Sequence, residues 1–106
     1  MFAFILDTLK EQGRSILAYE AVAKKSFTKA VAEPQHAAAF YLIATSAESF
    51  AELHERMPMS KQDLEQSFEA FQKDIETLQA AYEAGEPETI LAALNRVAAA
   101  RASTRA

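Results

Sequence analysis

The sequence predicts an all-α fold, arranged as an antiparallel up-down bundle of three long helices and one short C-terminal helix. The best helix formers dominate the chain of 106 residues, which contains 23 alanines and only two glycines. Apolar residues recur at alternating steps of three and four, the spacing of a helix with one buried face. The three prolines, at positions 34, 58 and 87, separate these periodic segments and predict short connections that reverse the chain.

The first helix is predicted over residues 2–32. Gly13 lies inside this segment and permits a bend, at a cost of up to about 1 kcal/mol relative to alanine. Pro34 ends the helix, because the residue before a proline avoids the helical conformation. The positions that form the apolar stripe are Phe2, Ile5, Leu9, Ile16, Tyr19, Ala23 and Phe27.

The second helix is predicted over residues 35–57, and Pro58 closes it. Its apolar seam alternates steps of four and three, which is a heptad pattern. Both histidines of the chain fall on this seam. The seam consists of His36, Phe40, Ile43, Ala47, Phe50, His54 and Met57.

The third helix is predicted over residues 61–84, because Ser60 and Asp63 resemble a capping box and Gly85 suits a helix C-terminus. Its seam is Leu64, Phe68, Phe71, Ile75, Leu78 and Tyr82. The short last helix is predicted over residues 87–101, since Pro87 fits the first turn of a helix. Residues 102–106 are predicted to fray as a tail.

Composition and charge exclude several classes of function. The chain has the length of a single domain and a net charge of −4, which argues against general nucleic-acid binding. It has no cysteine, which removes disulfides, thiolate metal sites and cysteine nucleophiles. No segment reaches the roughly 20 apolar residues of a membrane span, and the first ten residues make a poor signal peptide. We therefore expect a cytoplasmic protein.

The two histidines are candidate metal ligands. Diiron bundles use a Glu-x-x-His spacing, but position 51, three residues before His54, is alanine. Antiparallel pairing nevertheless brings His54 near Asp63 and Glu11, a set that could bind a divalent ion. A metal- or small-molecule-binding bundle using the His54 end is therefore kept as the alternative function, although we expect no metal or cofactor.

His36 opens a helix in a predicted four-helix domain, and the segment that begins there reads His-Ala-Ala-Ala-Phe-Tyr-Leu. This placement resembles that of the phosphorylated histidine in histidine phosphotransfer domains. The resemblance implies a signalling role for His36, but the segment lacks the lysine and glycine that follow that histidine in the family. Thr45, Ser46 and Ser49 have no histidine or lysine at helical spacing to activate them, so we expect no enzymatic activity.

Register arithmetic predicts where the bundle is incomplete. If the first two helices pair about the turn at residue 33, residues 1–8 extend beyond the second helix. The short last helix would leave a gap at the same end of the bundle. An exposed apolar cluster of this kind usually marks a contact with another chain. We therefore predict a non-enzymatic interaction or adaptor protein that self-associates, or binds another protein, through Phe2, Phe4, Ile5, Leu6, Leu9, Leu64 and Phe68.

Overall fold

The computed structural model describes residues 1–13 and 15–103 of the chain, and this part is helical with no β-strand. The prediction of an all-α fold is confirmed. Five α-helices follow one another in this described part of the chain: α1 (Ala3–Glu11), α2 (Ile16–Ala32), α3 (Ala37–Arg56), α4 (Lys61–Ala84) and α5 (Pro87–Ser103). A single 3₁₀ turn at Pro34–His36 leads into α3.

The predicted first helix over residues 2–32 is wrong, because the chain forms two helices there. Gly13 adopts a φ of 73°, a left-handed conformation that interrupts an α-helix and that glycine adopts without steric cost. Ser15 then caps α2, since its side-chain oxygen accepts a hydrogen bond from the backbone N–H of Ala18 at 3.2 Å. These two local preferences together produce a corner instead of a bend.

The corner lets α1 fold back along α2. Lys25 Nζ donates a hydrogen bond to Thr8 Oγ1 at 3.2 Å, and Lys29 Nζ lies 5.1 Å from the centre of the Phe4 ring. Lys29 follows Lys25 along α2, whereas its partner Phe4 precedes Thr8 along α1. The two helices therefore run antiparallel.

The predicted apolar overhang is therefore absent from the described residues. Phe2, Ile5 and Leu9 are buried in the core, and Phe4 and Leu6 pack against it. The predicted register is wrong because the chain does not continue as one straight helix through Gly13. Phe68 of the predicted interface is also buried, and Leu64 is half-buried. All seven residues thus lie in or beside the chain's own core or are partly covered, so the observation that motivated this interface is missing.

The later boundaries agree more closely with the sequence. α4 begins and ends at the predicted residues, with Ser60 and Asp63 forming a capping box and Gly85 left-handed at the C-cap. α5 is longer than expected: it has 17 residues, as many as α2. It includes Ala102 and Ser103, which were assigned to the tail, while residues 104–106 lie outside the described part.

Aromatic contacts show how the other helices pair. Tyr19 packs against Phe50, while Phe27, eight residues later, packs against Tyr41, so α2 and α3 run antiparallel. The α3–α4 pair follows the same rule, since Phe50 meets Phe71 and His36 meets Tyr82.

We call the aromatic cluster around the start of α3 the closed end of the molecule. It consists of Phe2, His36, Phe40 and Tyr82. Phe2 sits edge-on to Phe40 and Tyr82, at 5.4 and 5.9 Å between ring centres. Its backbone N–H donates to Gln79 Oε1 at 3.1 Å, which fixes the start of α1 to α4.

None of the described helices combines the length and apolar character needed to cross a membrane.

Candidate functional site

A concave surface lies at the end opposite the closed end, between the C-terminal half of α3 and the N-terminal half of α4. We call it the α3–α4 groove; its volume is about 800 Å³. α3 and the connection to α4 supply Ser46, Ser49, Phe50, Glu52, Leu53, Arg56, Met57, Pro58 and Met59; α4 supplies Asp63, Gln66, Ser67 and Ala70; α5 supplies Arg101.

The groove has an apolar wall. Leu53 is 40% exposed and Met57 is 57% exposed, although both are large apolar side chains. The half-buried Met59 and the buried Phe50 also line the groove. Scattered exposed apolar residues are ordinary on a protein surface, but a contiguous set inside a concave surface is typical of a binding site.

Arg101 reaches this groove from the last turn of α5. Its Nε lies 3.1 Å from Asp74 Oδ2, and its guanidinium carbon lies 5.6 Å from the centre of the Phe50 ring. Burial raises the pKa of the Asp74 carboxyl above its ordinary value, while the positive charges of Arg101 and Lys73 act in the opposite direction. The arginine thus ties α5 to both α4 and α3.

The other charged groups of the groove are engaged locally. Arg56 and Glu52 form an ion pair at 3.5 Å on the rim, where both side chains are mostly exposed. The Asp63 carboxylate accepts the Ser60 backbone N–H at 3.3 Å in the capping box. Exposed pairs of this kind are screened by water and contribute about 0–1 kcal/mol.

The groove exists because α5 covers only part of α4. Arg101 faces Asp74, and α5 ends two residues later at Ser103. The stretch of α4 before Ala70 therefore lies beyond the described end of α5. The sequence predicted a gap at this end for the same reason, but it assigned the gap to Leu64 and Phe68. Neither residue lines the groove.

His54 belongs to the same end of the molecule but faces α2. Its ring lies edge-on to Tyr19, with ring centres 5.3 Å apart. Its Nε2 is buried and has no hydrogen-bond partner among the described residues, and burial lowers the pKa of the imidazole. Glu11 is exposed and Asp63 serves as a helix cap, so the structure does not show the three residues as one site.

No group of three or more histidine, aspartate and glutamate side chains within residues 1–13 and 15–103 could hold a metal ion. The alternative of a metal site at the His54 end therefore receives no support from the described geometry.

His36 lies in the closed end. Its Nδ1 is 3.2 Å from Glu33 Oε1, and its ring packs edge-on to Tyr82 at 5.3 Å. The hydrogen bond from His36 is the main cause that lowers the pKa of the Glu33 carboxyl, and Lys29 adds to it through an ion pair at 3.6 Å. The imidazole is thus part of a local network at the start of α3.

Two contributions to the groove were missed by sequence reasoning. Met57 was assigned to a buried seam and Met59 to a connection, although the pair flanks Pro58, where α3 has to end. Arg101 was placed next to a fraying tail. Antiparallel pairing about Pro87 sets residue 101 close to Asp74, and this register could have identified the ion pair.

Comparison with known proteins gave no relative: no protein-family model, no curated protein and no solved structure matches the chain.

Proposed function

We propose that this protein is a non-enzymatic interaction protein that binds a short amphipathic helix of a partner protein in the α3–α4 groove. The observation that carries the proposal is the exposed apolar wall, in which Leu53, Met57 and Met59 line one concave surface. Helix-in-groove recognition uses an apolar groove of this kind, and methionine adapts well to side chains of different shape.

A helix is the occupant that fits the position of the groove. α5 packs along α4 as far as Arg101, and the groove continues along α4 from Ala70 to Asp63. A partner helix in the groove would extend the packing that α5 begins. These eight residues of α4 span seven helical steps, or about 10 Å, so the bound segment needs only two or three turns.

The small extent of the groove favours a short segment over a second copy of the chain. A stable dimer commonly buries about 800 Å² on each partner. The exposed apolar side chains of the groove are few, mainly Leu53 and Met57 with part of Met59. A second copy of the chain is therefore the competing occupant, and the experiment has to detect it. The sequence also predicted self-association, but through other residues.

The lining residues also favour binding over catalysis. Ser46, Ser49 and Ser67 are the hydroxyl groups of the groove, and the described lining includes no histidine or lysine that could act as their base. Ser49 Oγ donates instead to the Thr45 carbonyl oxygen at 3.0 Å.

The test is site-specific photocrosslinking in cells of the native host. Met57 is replaced with p-benzoylphenylalanine, and Leu91 receives the same replacement as a control. Leu91 is a suitable control because it is 59% exposed on α5 and does not line the groove. We expect the Met57 site to yield a discrete adduct with a helical segment of another protein, and the Leu91 site to yield none.

A synthetic peptide of the crosslinked segment should then bind the purified chain. Met57→Glu should abolish this binding and Leu91→Glu should preserve it. Sedimentation of the wild-type chain over a range of concentrations distinguishes the competing occupant. An adduct made of two copies of this chain, equal adducts from both sites, or no adduct would each contradict the proposal.

A further inference from the structure

Methionine is concentrated in the α3–α4 groove. The chain has three methionines, and two of them, Met57 and Met59, line this one surface. Met57 is 57% exposed, and the chain has no cysteine that would react first with an oxidant. The third methionine, Met1, is 40% exposed and lies outside the groove.

The backbone at the end of α3 explains why Met57 lies outside the helix. Met57 has extended dihedral angles, φ −130° and ψ 132°, because Pro58 follows and disfavours the helical region for the preceding residue. α3 therefore stops at Arg56, and residues 57–59 line the groove outside any helix. Neither side chain is among the fully buried residues of the core.

We propose that Met57 and Met59 form an oxidation-sensitive modification site that closes the groove to its partner helix. This inference rests on the proposed function, because it concerns the regulation of the same groove. The oxidant it requires is a peroxide or a hypohalous acid.

Hydrogen peroxide supplies the oxygen atom. The thioether sulfur attacks one peroxide oxygen, an S–O bond forms, and the O–O bond breaks to release hydroxide. The sulfur is oxidised by two electrons, and the hydroxide removes the proton from the oxygen now bound to sulfur, which leaves the sulfoxide and one water molecule. One peroxide is consumed for each methionine.

Oxidation changes the groove more than the fold. A sulfoxide is strongly polar, and burying it beneath an apolar helix face without a hydrogen-bond partner is unfavourable. In the free protein the exposed Met57 sulfoxide remains in contact with water, so the stability of the chain should hardly change.

The experiment uses the full purified chain and a defined probe. The probe is a fluorescein-labelled, hydrocarbon-stapled helix of three turns with leucine at positions i, i+3, i+4 and i+7, and its binding is followed by anisotropy. The chain is titrated with hydrogen peroxide, and peptide mass spectrometry measures the sulfoxide fraction at Met1, Met57 and Met59. Full oxidation of the groove methionines should weaken binding about tenfold or more.

Two variants provide the matched comparison. The double variant Met57→Leu with Met59→Leu keeps apolar side chains of similar volume and should bind the probe equally well before and after peroxide. Met1→Leu should remain as sensitive as the wild type. A loss of binding in the double variant after peroxide would show that the sensitivity lies elsewhere and would overturn the inference.

The two proposals fail in different ways. If the unoxidised wild type binds neither the probe nor the crosslinked peptide, the proposed function is wrong. If the unoxidised chain binds and the chain with both groove sulfoxides binds equally well, only the oxidation site is wrong. Slower oxidation of Met57 than of Met1 would also contradict the inference, because it would show that the groove thioether is protected.

Discussion

The closed end of this molecule and the opposite end, which carries the α3–α4 groove, contain similar residues but differ in how far the chain covers them. Each has an aromatic cluster and one histidine: Phe2 packs on Phe40 beside His36 at one end, whereas Phe50 packs on Phe71 near His54 at the other. The difference arises from chain coverage. α1 folds back and delivers Phe2 into the closed end, but among the described residues no segment fills the α3–α4 groove in the same way.

The comparison shows how a small helical protein can separate stability from binding. The aromatic residues of the closed end hold α1, α3 and α4 together, so changes there should act on the fold. The apolar residues of the groove contact solvent and should act mainly on recognition. The following substitutions test this division, beginning with the largest expected effect.

Phe40→Ala should be the most damaging change. Phe40 is fully buried and its ring lies against Phe2 and Phe4, at 5.4 and 6.2 Å between ring centres. Removing a buried phenylalanine lowers the free energy of unfolding by about 3–5 kcal/mol, since it leaves a cavity. Urea denaturation measures the loss.

Leu53→Ala is the control at the groove end, where the side chain is 40% exposed. It should lower the free energy of unfolding by less than about 1 kcal/mol, because little apolar area is lost from the core. Similar losses for the two variants would contradict the division between the ends.

Asp74→Asn should have the next largest effect, because it weakens the ion pair that ties α5 to α4 beside the groove. Arg101 would keep its charge at a site where it is only 22% exposed and would lose its carboxylate partner. Removing the carboxylate charge from this partly buried ion pair should cost about 1–3 kcal/mol and loosen the last turn of α5. Hydrogen exchange of the amides near Arg101 would locate the change.

The exposed pair on the groove rim is the matched control. Glu52→Gln removes the partner of Arg56, whose side chain is 77% exposed. The effect on unfolding should be within about 0.5 kcal/mol. If Glu52→Gln destabilised the chain as much as Asp74→Asn, burial would not explain why the Arg101–Asp74 ion pair contributes more to stability than the exposed pair.

Gly13→Ala tests the corner that brings α1 to the closed end. A side chain at a φ of 73° costs roughly 1–2 kcal/mol, although a Cβ there would meet no atom within 4 Å. Gly85→Ala is the matched control, because Gly85 has a φ of 78° and the same free space. Equal losses in thermal unfolding would mean that only backbone strain is involved. A clearly larger loss at Gly13 would show that α1 detaches.

This corner also shows what the sequence could and could not reveal. The helical fold and the bounds of α4 followed from local signals, namely the capping box at Ser60 and Gly85 at the C-terminus. The break after Gln12 could not be predicted from local signals in this way. The spacing of apolar residues continues across Gly13, and an unbroken helix that contains one glycine would show the same spacing. The local signal was the cap at Ser15, which competes with that spacing.

The groove was harder to predict for a different reason. The sequence indicated an unfilled gap at the correct end, since α5 is shorter than α4. Which residues face the gap depends on the rotation of α4 about its axis. Phe68 is buried in the core, and Leu64 is half-buried and does not line the groove. Gln66 and Ser67, which line the groove, carry no apolar signal.

The smallest effect should be a pH dependence that distinguishes the two histidines. Burial lowers the pKa of His54 in the folded chain, whereas in the unfolded chain it returns to its ordinary value of 6.5. Below that pH the unfolded chain takes up a proton that the folded chain resists, so stability should fall as the pH falls through 6.5 toward the lower folded pKa. Above pH 6.5 this contribution is constant. The slope cannot exceed that of one proton, about 1.4 kcal/mol per pH unit.

Urea midpoints measured between pH 5.5 and 8 for the wild type and His54→Gln would reveal this slope, because carboxylates contribute little in that range. His54→Gln should flatten it. His36→Gln is the control at the closed end: it removes the partner of Glu33 but leaves the surroundings of His54 unchanged, so the His54 slope should persist. If His54→Gln kept the full slope of stability against pH, or if stability rose toward pH 5.5, the buried and unpartnered His54 Nε2 would not be the source of the pH dependence.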